Sequence, residues 1–133
     1  MTDCIFCKIV DGSIPSFKVW ENDRFMMFLD IRPINRGHSL VIPKFHVDYL
    51  FDMETNDYQE LMSIVKQVSE PLRKSVGAKR IGIAVEGFEV PHAHVHLIPI
   101  DKAGQLNPAN AKQVPTEELS EIAEKIRNGF SQN

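Results

Sequence analysis

The sequence predicts an α+β fold, an antiparallel five-stranded sheet with one long helix and a C-terminal helix packed on it. Three observations lead to this prediction. Short apolar stretches are separated by turns, as in hairpins. Between about residues 54 and 75, apolar residues recur at three- and four-residue steps, as on one helix face. A second helical pattern follows at 116–128. The length of 133 residues suits a single domain over 1–133.

The predicted order of elements is β-β-β-α-β-β-α. A turn marked by Gly12 and Pro15 precedes a hairpin, whose two strands are joined by a polar turn. A loop fixed by Pro33 and Gly37 leads to the third strand. The five strands are expected at 17–20, 25–30, 39–43, 80–87 and 92–100.

Two helices complete the predicted fold. The long helix is expected from about Glu54 to Ser75, with Thr55 or Asn56 as its N-cap. Pro71 lies inside this pattern and predicts a kink or an early end. After a polar loop at 101–115, the C-terminal helix starts with a Thr-Glu-Glu capping pattern.

The composition is that of an ordinary globular protein, 43% hydrophobic and 25% charged. The net charge is −3 with Lys and Arg spread along the chain, which argues against nucleic acid as a partner. No apolar run suggests a membrane span, and the N-terminal residues do not resemble a secretory signal. We therefore expect a cytoplasmic protein, in which Cys4 and Cys7 are not a structural disulfide.

The stretch PHAHVHLIP, residues 91–99, places His92, His94 and His96 at every second position. On a strand these side chains share one face, and the apolar residues between them share the other. Three interpretations are open: a solvated sheet face, a transition-metal site, and nucleophilic or acid–base catalysis. Catalysis is favoured, because imidazole changes charge near neutral pH and no acidic residue follows closely to complete a metallohydrolase cluster.

Further motifs accompany these histidines. GHSLVIPKFH at 37–46 carries His38 and His46, and DIRPINRGH overlaps its start. Together with CIFCKIVDGSIPS near the N-terminus and HAHVHLIP, these stretches strongly resemble the histidine triad (HIT) family of nucleotide hydrolases and transferases, in matching order over about residues 4–100. The resemblance implies a HIT-like fold and a homodimer whose sheet extends across the two-fold axis.

The resemblance assigns the chemistry to three histidines and requires no cofactor for it. The middle triad residue, His94, would attack the α-phosphorus of a nucleoside phosphoramidate, a dinucleoside polyphosphate or a related nucleotide. The covalent nucleotidyl-histidine would then be opened by water. His96 would act on the phosphate or leaving group, and His38 would donate to phosphate oxygens.

The resemblance also implies a nucleotide site, with a purine expected. An apolar cleft for the base would be lined by Ile5, Phe6, Ile9 and Phe28. Asp30 would accept hydrogen bonds from the ribose hydroxyls, with Ile31 beside the ring. The residues alone leave another interpretation open, in which the two phenylalanines and Ile9 are ordinary core and Asp30 is a turn residue at a strand end.

Residues 86–92, EGFEVPH, depart from the family pattern. Many members have Gln followed by Ser or Thr shortly before the triad, where this chain has Phe88 and Glu89, and a common Asn is not evident in GIAVEG. A carboxylate at this position would repel phosphates unless it is neutralised or turned away. Gly87 is retained and is expected where backbone approaches the ligand closely. Gly87 and Glu89 complete the expected nucleotide-binding residues.

The Cys-x-x-Cys pair has the spacing of a metal knuckle, but one pair alone does not establish a metal site. In some bacterial members such a pair binds structural zinc, together with a histidine after a Pro-Lys turn and the first triad histidine. The counterparts here are Cys4, Cys7, His46 and His92, which would form a closed tetrahedral site.

The sequence therefore predicts a histidine triad hydrolase or nucleotidyl transferase acting on small-molecule nucleotides. Two alternatives stay open. One is a nucleotide-binding regulatory protein with little catalysis, which Phe88 and Glu89 favour. The other is a metal-dependent enzyme that uses the histidine cluster as ligands.

Overall fold

Short apolar strands build a five-stranded antiparallel sheet, which confirms the predicted α+β fold. The structure is a computed structural model and describes residues 3–131. In chain order the strands are β1 (Lys18–Glu21), β2 (Phe25–Leu29), β3 (Ser39–Pro43), β4 (Arg80–Ala84) and β5 (Val95–Ile100). Their order across the sheet is β1-β2-β3-β5-β4, so β5 is an inner strand and β4 is an edge.

Both faces of the sheet are covered, and β2 and β3 are consequently buried at every position. The long helix α2 (Thr55–Val76) and the C-terminal helix α3 (Thr116–Ser131) pack on one face and form the main core with it. The short helix α1 (Ile5–Val10) packs on the other face, over a smaller core. Since successive strand residues alternate faces, each inner strand contributes to both cores.

Helix α1 is absent from the predicted elements. Its six residues are too few to show helical periodicity, and a helix of this length is not stable by itself in water. Its N-cap is Cys4, whose Sγ accepts from the Cys7 N–H at 3.3 Å, and cysteine is not a residue that signals a helix start. Tertiary packing holds the helix, because Phe6 is buried with Met26 and Phe28 in the smaller core.

Helix α2 continues past Pro71 to Val76, so the predicted early end is wrong. Proline removes one backbone N–H from the helical ladder. Val68 and Leu72, on either side of Pro71, are fully buried in the main core, and their packing keeps this segment helical. The helix ends instead at Gly77, which adopts a left-handed φ of 71° that glycine allows without strain.

The start of α2 also differs from the prediction. The N-cap is Glu54 rather than Thr55 or Asn56, and its side chain makes no capping hydrogen bond. Smaller differences affect other elements: β4 ends at Ala84, and α3 extends to Ser131. No helix within residues 3–131 combines the length and the apolar character needed to cross a membrane.

Strand β5 begins at Val95, three residues later than predicted. It pairs with β3 as far as Val41↔Val95, and the same register would place Ile42 opposite His94 and then Pro43 opposite Ala93. Pro43 has no N–H to donate to a ladder, and the Ala93 N–H donates instead to the Val47 carbonyl at 2.7 Å. His92 and His94 therefore lie on irregular backbone ahead of the strand.

The predicted division of the histidine stretch into two faces is confirmed on its apolar side. Ala93, Val95 and Leu97 are buried in the main core. The rings of His92 and His94 contact Phe6 of α1, on the opposite face of the sheet. The triad thus lies on the α1 side, although only His96 belongs to a strand.

Candidate active site and metal centre

His38 and His96 are brought together by the pairing of β3 with β5. The residue before β3, His38, accepts a hydrogen bond at Nδ1 from the Ile34 N–H at 3.0 Å, so its proton lies on Nε2. This nitrogen is 2.9 Å from His96 Nδ1, which must therefore accept. The His96 proton then lies on Nε2. One backbone amide thus fixes the tautomers of two rings.

His94 is oriented by the backbone of the residue two positions before it. Its Nδ1 lies 2.7 Å from the His92 carbonyl oxygen, and because a carbonyl only accepts, Nδ1 carries the proton. The neutral ring then has its lone pair on Nε2, to which no group among the described residues donates. The ring is 6% exposed, packs edge-on against Phe6 and has the His96 ring centroid 5.0 Å from its own.

Burial lowers the pKa of two imidazoles of this site, those of His38 and His96. Burial, reinforced by nearby His96, lowers the pKa of His38 from 6.5 to about 3. Burial also lowers the pKa of His96, and His94 adds to this effect. Three carboxylates oppose the shift at His96, those of Asp30, Glu86 and Glu89. Neutral rings near pH 7 agree with the hydrogen bonds that define their tautomers.

Asp30 is both a turn residue and a neighbour of the histidines. Its Oδ1 accepts from the Arg32 N–H at 2.8 Å, as expected at a strand end. Its Oδ2 lies 3.7 Å from His38 Nε2, and the side chain is half-buried. The two interpretations of Asp30 from sequence are therefore compatible, because each concerns a different carboxylate oxygen.

Asp30, His38 and His96 form a group whose possible ligand atoms lie within 4.8 Å of one another. Two histidines and one carboxylate are a metal-binding set in other proteins. The hydrogen bonding of His38 opposes that use. Coordination through Nε2 would require its proton to move to Nδ1, where the Ile34 N–H already donates. The geometry therefore favours a hydrogen-bonded histidine pair over a metal at this position.

The residues expected to surround the base of a nucleotide fall into two sets, one buried and one exposed. Phe6 and Phe28 are buried, with their rings in edge-to-face contact at 5.4 Å between centroids, and Ile9 is half-buried against the same core. Ile5 and Ile31 are 50% and 62% exposed. The buried residues pack beneath the site, since Phe6 also contacts His94. The exposed residues, Ile5 and Ile31, offer apolar surface.

The connection between β4 and β5 leaves the sheet beside the histidines, because Ala84 at the end of β4 pairs with His96. Gly87 in this loop has a φ of 86°, and a Cβ there would meet no atom within 4 Å. Its left-handed backbone accounts for the glycine, and because the position is open, the expected close approach of this backbone to a ligand stays a prediction. Phe88 is 91% exposed and Glu89 is also exposed.

A second cluster joins α1 to the start of the triad. Cys4 Sγ and Cys7 Sγ lie 3.4 and 3.5 Å from His92 Nδ1, and Cys7 Sγ lies 3.3 Å from His46 Nδ1. The ligand atoms of all four residues lie within 4.8 Å of one another. In a tetrahedral zinc site of ordinary bond lengths, sulfur and nitrogen ligands are separated by about 3.5 Å. The residues present therefore fit a tetrahedral cation such as zinc.

The surroundings of this cluster suit metal binding. His92 Nε2 donates to the Pro43 carbonyl at 2.8 Å, which leaves the lone pair of Nδ1 facing the thiols. Burial, together with contact with Cys4, raises the pKa of the Cys7 thiol. A cation at this site would have to displace a thiol proton, so its binding would weaken as the pH falls.

The sequence identified the side chains of both clusters but not the backbone groups that orient them. The Ile34 N–H and the carbonyls of Pro43 and His92 set the protonated nitrogen on three rings. These groups are present in every peptide bond, so no residue type distinguishes them. Helix α1, which brings both thiols to His92, had no detectable signal either.

Comparison with known proteins places this geometry in a family. The HIT domain model matches residues 11–103. An uncharacterized HIT-like protein of Borreliella burgdorferi is 40% identical over 106 residues, which cover 74% of this chain and 76% of that protein. The adenosine 5′-monophosphoramidase of Saccharomyces cerevisiae is 32% identical over 126 residues, covering 92% of this chain and 80% of that protein.

A solved structure shares the fold over nearly its whole length. A Zn-bound histidine triad family protein from Mycobacterium smegmatis has a TM-score of 0.85 at 28% sequence identity, covering 98% of this chain and 95% of that one. The domain match and the sequence relatives agree with this structural likeness. The chain belongs to the HIT, or histidine triad, family, and it carries a Cys-x-x-Cys pair at Cys4 and Cys7.

Proposed function

We propose that the protein is a hydrolase or nucleotidyl transferase that cleaves at the α-phosphate of nucleoside phosphoramidates, dinucleoside polyphosphates or related nucleotides. The observation that carries this proposal is the orientation of His94. Its Nδ1–H donates to the His92 carbonyl at 2.7 Å, so the neutral ring has its lone pair on Nε2. A neutral imidazole in this state is a nucleophile. The relative from Saccharomyces cerevisiae, an adenosine 5′-monophosphoramidase, supports the substrate class.

The reaction has two displacements at phosphorus. His94 Nε2 attacks the α-phosphorus, the N–P bond forms, and the leaving group departs with the electron pair of its own bond and takes up a proton. Water then attacks the same phosphorus, the N–P bond breaks, and its electron pair returns to Nε2. The water supplies a hydroxyl to the nucleoside monophosphate and, through solvent, a proton to the leaving group. An alcohol or amine acceptor in place of water gives transfer instead of hydrolysis.

His96 and His38 stabilise charge during both displacements. The His96 proton lies on Nε2, because His96 Nδ1 accepts from His38. His96 can therefore donate to a phosphate oxygen or to the leaving group, and His38 holds it in that tautomer. Donors fixed before the reaction begins stabilise the transition state without reorganisation. The lowered pKa values of both rings support donation by neutral imidazole.

The nucleoside is proposed to bind on the α1 side of the sheet. Ile5 and Ile31 offer exposed apolar surface for a purine, above the buried rings of Phe6 and Phe28. Asp30 is half-buried and has one carboxylate oxygen turned away from its own turn, so it can accept from ribose hydroxyls. In this proposal the residues keep the binding roles that were expected from the sequence.

Zinc is the metal proposed for the cluster of Cys4, Cys7, His46 and His92. Two thiolates and two imidazoles are a common structural zinc set, and four protein ligands leave no open position for substrate. The Zn-bound histidine triad protein from Mycobacterium smegmatis supports this choice of metal. When bound, the ion would supply a crosslink between α1 and the segments that carry His46 and His92.

A homodimer formed through the β4 edge is also proposed. Ile83 and Val85 are 49% and 40% exposed there, and a groove of about 600 Å³ runs between α2 and β4. A second copy of the strand would extend the sheet and cover this apolar surface. A reducing compartment, the cytoplasm, is proposed because Cys4 and Cys7 are free thiols suited to metal binding.

The proposal is tested by single-turnover reactions with adenosine and guanosine phosphoramidates and with dinucleoside polyphosphates. Intact mass after quenching is expected to show one covalent, acid-labile nucleotide per chain. His94→Ala should remove the adduct and lower turnover by a factor on the order of 10³ or more, with an unchanged circular dichroism spectrum. Turnover that survives His94→Ala unchanged would contradict the covalent mechanism.

The two alternatives predict different results in the same experiments. A binding protein would bind a nucleoside monophosphate tightly and turn over no member of the panel, an outcome that exposed Phe88 and Glu89 would help to explain. An enzyme that uses the histidine cluster as metal ligands would lose turnover on chelation, regain it with added metal, and form no covalent adduct on His94. The Ile34 hydrogen bond to His38 disfavours a metal at Asp30, His38 and His96.

A further inference from the structure

His92 connects the two side-chain clusters of the site, because its ring lies in one and its backbone carbonyl orients a histidine of the other. Its ring Nδ1 lies 3.4 Å from Cys4 Sγ and 3.5 Å from Cys7 Sγ, while its Nε2 donates to the Pro43 carbonyl at 2.8 Å. Its backbone carbonyl accepts the His94 Nδ1–H at 2.7 Å. The residue is 0% exposed. Because the ring and the carbonyl belong to one fully buried residue, displacement of the ring also displaces the group that orients His94.

Helix α1 provides a second connection between the clusters. It carries Cys7 in its first turn, follows Cys4 directly, and includes Phe6 between them. The Phe6 ring contacts both His92 and His94 edge-on, with centroid distances of 6.0 and 5.1 Å. The helix that supplies the two thiols therefore also supplies the surface on which the His94 ring rests.

Helix α1 is short and is held in place by its packing on the smaller core. It has six residues, and Phe6 is its buried side chain. A helix this short depends on tertiary contacts, since it forms too few backbone hydrogen bonds to offset its nucleation cost. A cation bound by Cys4 and Cys7 on one side, and by His46 and His92 on the other, would crosslink α1 to the rest of the chain.

The geometry points to a positioning role for this cluster: a metal ion held by Cys4, Cys7, His46 and His92 keeps His94 in the orientation that leaves its Nε2 free to attack. The inference rests on the proposed function for the attack itself, but the orientation of His94 can be tested without it. His92 and the two cysteines are then positioning residues, which act on the reaction through His94 and touch no substrate.

Loss of the metal is expected to slow catalysis without unfolding the protein. The main core lies on the opposite face of the sheet, among α2, α3 and the inner strands, and does not include α1. A displacement of about 1 Å at a reacting group lowers the rate by a factor of roughly 10². The first displacement should therefore slow by about this factor, while nucleotide affinity changes much less.

The first test measures metal release and does not depend on activity. Coupling between two sites is reciprocal, so removing the His94 hydrogen bond should loosen the metal. Wild type, His94→Ala and His96→Ala are loaded with Zn²⁺, and its transfer to a chromogenic chelator is timed. His94→Ala should release zinc about fivefold faster than wild type, the effect of one hydrogen bond. His96→Ala removes a ring that has no bond to His92 and should release zinc at the wild-type rate.

The second test measures adduct formation in Cys7→Ser, with Lys8→Ala as the matched control on the same helix. Cys7→Ser should bind nucleotide with nearly unchanged affinity but form the His94 adduct about 10²-fold more slowly. In nitrogen-15 spectra, its His94 ring should lose the single Nδ1–H tautomer seen in wild type. Lys8→Ala should behave as wild type in rate, tautomer and zinc content.

Each outcome decides between the two claims. A wild type that forms no adduct contradicts the proposed function, and the release rates still decide the positioning role. Equal release from wild type and His94→Ala, or a wild-type adduct rate and tautomer in folded, zinc-free Cys7→Ser, overturns the positioning role. A wild type that binds no zinc overturns it as well. If Cys7→Ser does not fold, the release rates of the other variants decide.

Discussion

The position of one proton on each imidazole determines what the histidines of this site can do. The Ile34 N–H donates to His38 Nδ1, His38 Nε2 donates to His96 Nδ1, and His96 is left with a proton on Nε2. The Ile34 N–H, which donates first, sets the direction of donation along the whole series. If the proton of His38 were on Nδ1 instead, its Nε2 could not donate to His96 Nδ1. His96 would then carry its own proton on Nδ1 and present a lone pair where phosphate oxygens are proposed to bind. The series therefore ends in a donor, which suits a hydrogen-bond acceptor such as a phosphate oxygen.

The depressed pKa of His38 predicts a pH-dependent stability. In the folded protein the pKa is about 3, against 6.5 for an unperturbed histidine, so the unfolded chain binds the proton more readily. The stabilising contribution is complete above 6.5 and is lost as the pH falls toward 3. Between these values the free energy of unfolding should decrease by about 1.4 kcal/mol per pH unit from this residue alone.

Guanidinium unfolding of wild type and His38→Asn over this pH range measures the effect. Both proteins lose stability in acid as other groups titrate, so the difference between their slopes isolates His38. Wild type should have the steeper slope, and the variant the flatter one. Parallel slopes would mean that His38 is protonated in the folded protein or titrates equally in both states.

At the scale of residues, the sequence predicted which side chains meet but not how they are joined. His38 and His96 were expected together, as were Cys4, Cys7, His46 and His92, and the structure brings each group within hydrogen-bonding or ligand distance. At Gly87 the left-handed φ of 86° already accounts for the glycine, and the expected approach of its backbone to a ligand stays a prediction. Exposure was also not predictable, since Ile5 and Phe6 are adjacent apolar residues with opposite burial.

Among the elements of the fold, the loop between β4 and β5 has the clearest consequence for substrate choice. It follows Ala84, the strand partner of His96, and carries two carboxylates, Glu86 and Glu89, that oppose the lowered pKa of His96. Groups that act electrostatically on His96 also act on a leaving group held there. A loop with two negative charges disfavours an anionic leaving group, such as a polyphosphate, relative to a neutral or cationic one.

Glu89→Gln is therefore expected to change substrate preference. The ratio of kcat/KM for a dinucleoside polyphosphate to that for a phosphoramidate with a neutral leaving group should rise by a factor of roughly 3 to 10, because one repulsive charge is removed. The increase should shrink at high salt, which screens exposed charges. Glu124→Gln, the same change on the exposed surface of α3, should leave the ratio unchanged. A ratio unaffected by Glu89→Gln would show that the loop does not contact the leaving group.

Helices and strands could be predicted wherever the pattern of apolar residues was long enough to show its period. The sheet, α2 and α3 all have such patterns, and all five strands lie where they were expected to within a few residues. The failures have physical causes that lie elsewhere in the chain. The smaller core holds α1, buried Leu72 carries α2 past Pro71, and Pro43 of β3 delays the start of β5.

Over the whole molecule, the two edges of the sheet differ in their readiness to pair. At the β1 edge, Lys18 and Glu21 form an ion pair, and Arg127 of α3 donates to the Lys18 carbonyl at 2.7 Å. Charged residues and an occupied carbonyl both hinder pairing with another strand. At the β4 edge, Ile83 and Val85 are exposed beside the groove along α2. This asymmetry supports a homodimer through β4.

Ile83→Glu should convert the proposed dimer to a monomer, because it places like charges near the two-fold axis and removes apolar surface. Sedimentation velocity should show a halved mass over the range of concentrations where wild type is dimeric. Lys18→Glu, a charge change on the β1 edge, should remain dimeric. A dimer that persists in Ile83→Glu and dissociates in Lys18→Glu would place the interface on the opposite edge.

The late start of β5 has a consequence for how a reactive histidine is held beside a sheet. If β5 began at His92, the His92 carbonyl would accept a hydrogen bond from a neighbouring strand and would be used by the sheet. Because β5 starts at Val95 and β4 ends at Ala84, the partner of His96, no neighbouring strand reaches the His92 carbonyl, and it accepts a side chain two residues away. The end of strand pairing ahead of β5 thereby leaves a backbone acceptor that orients a reactive ring.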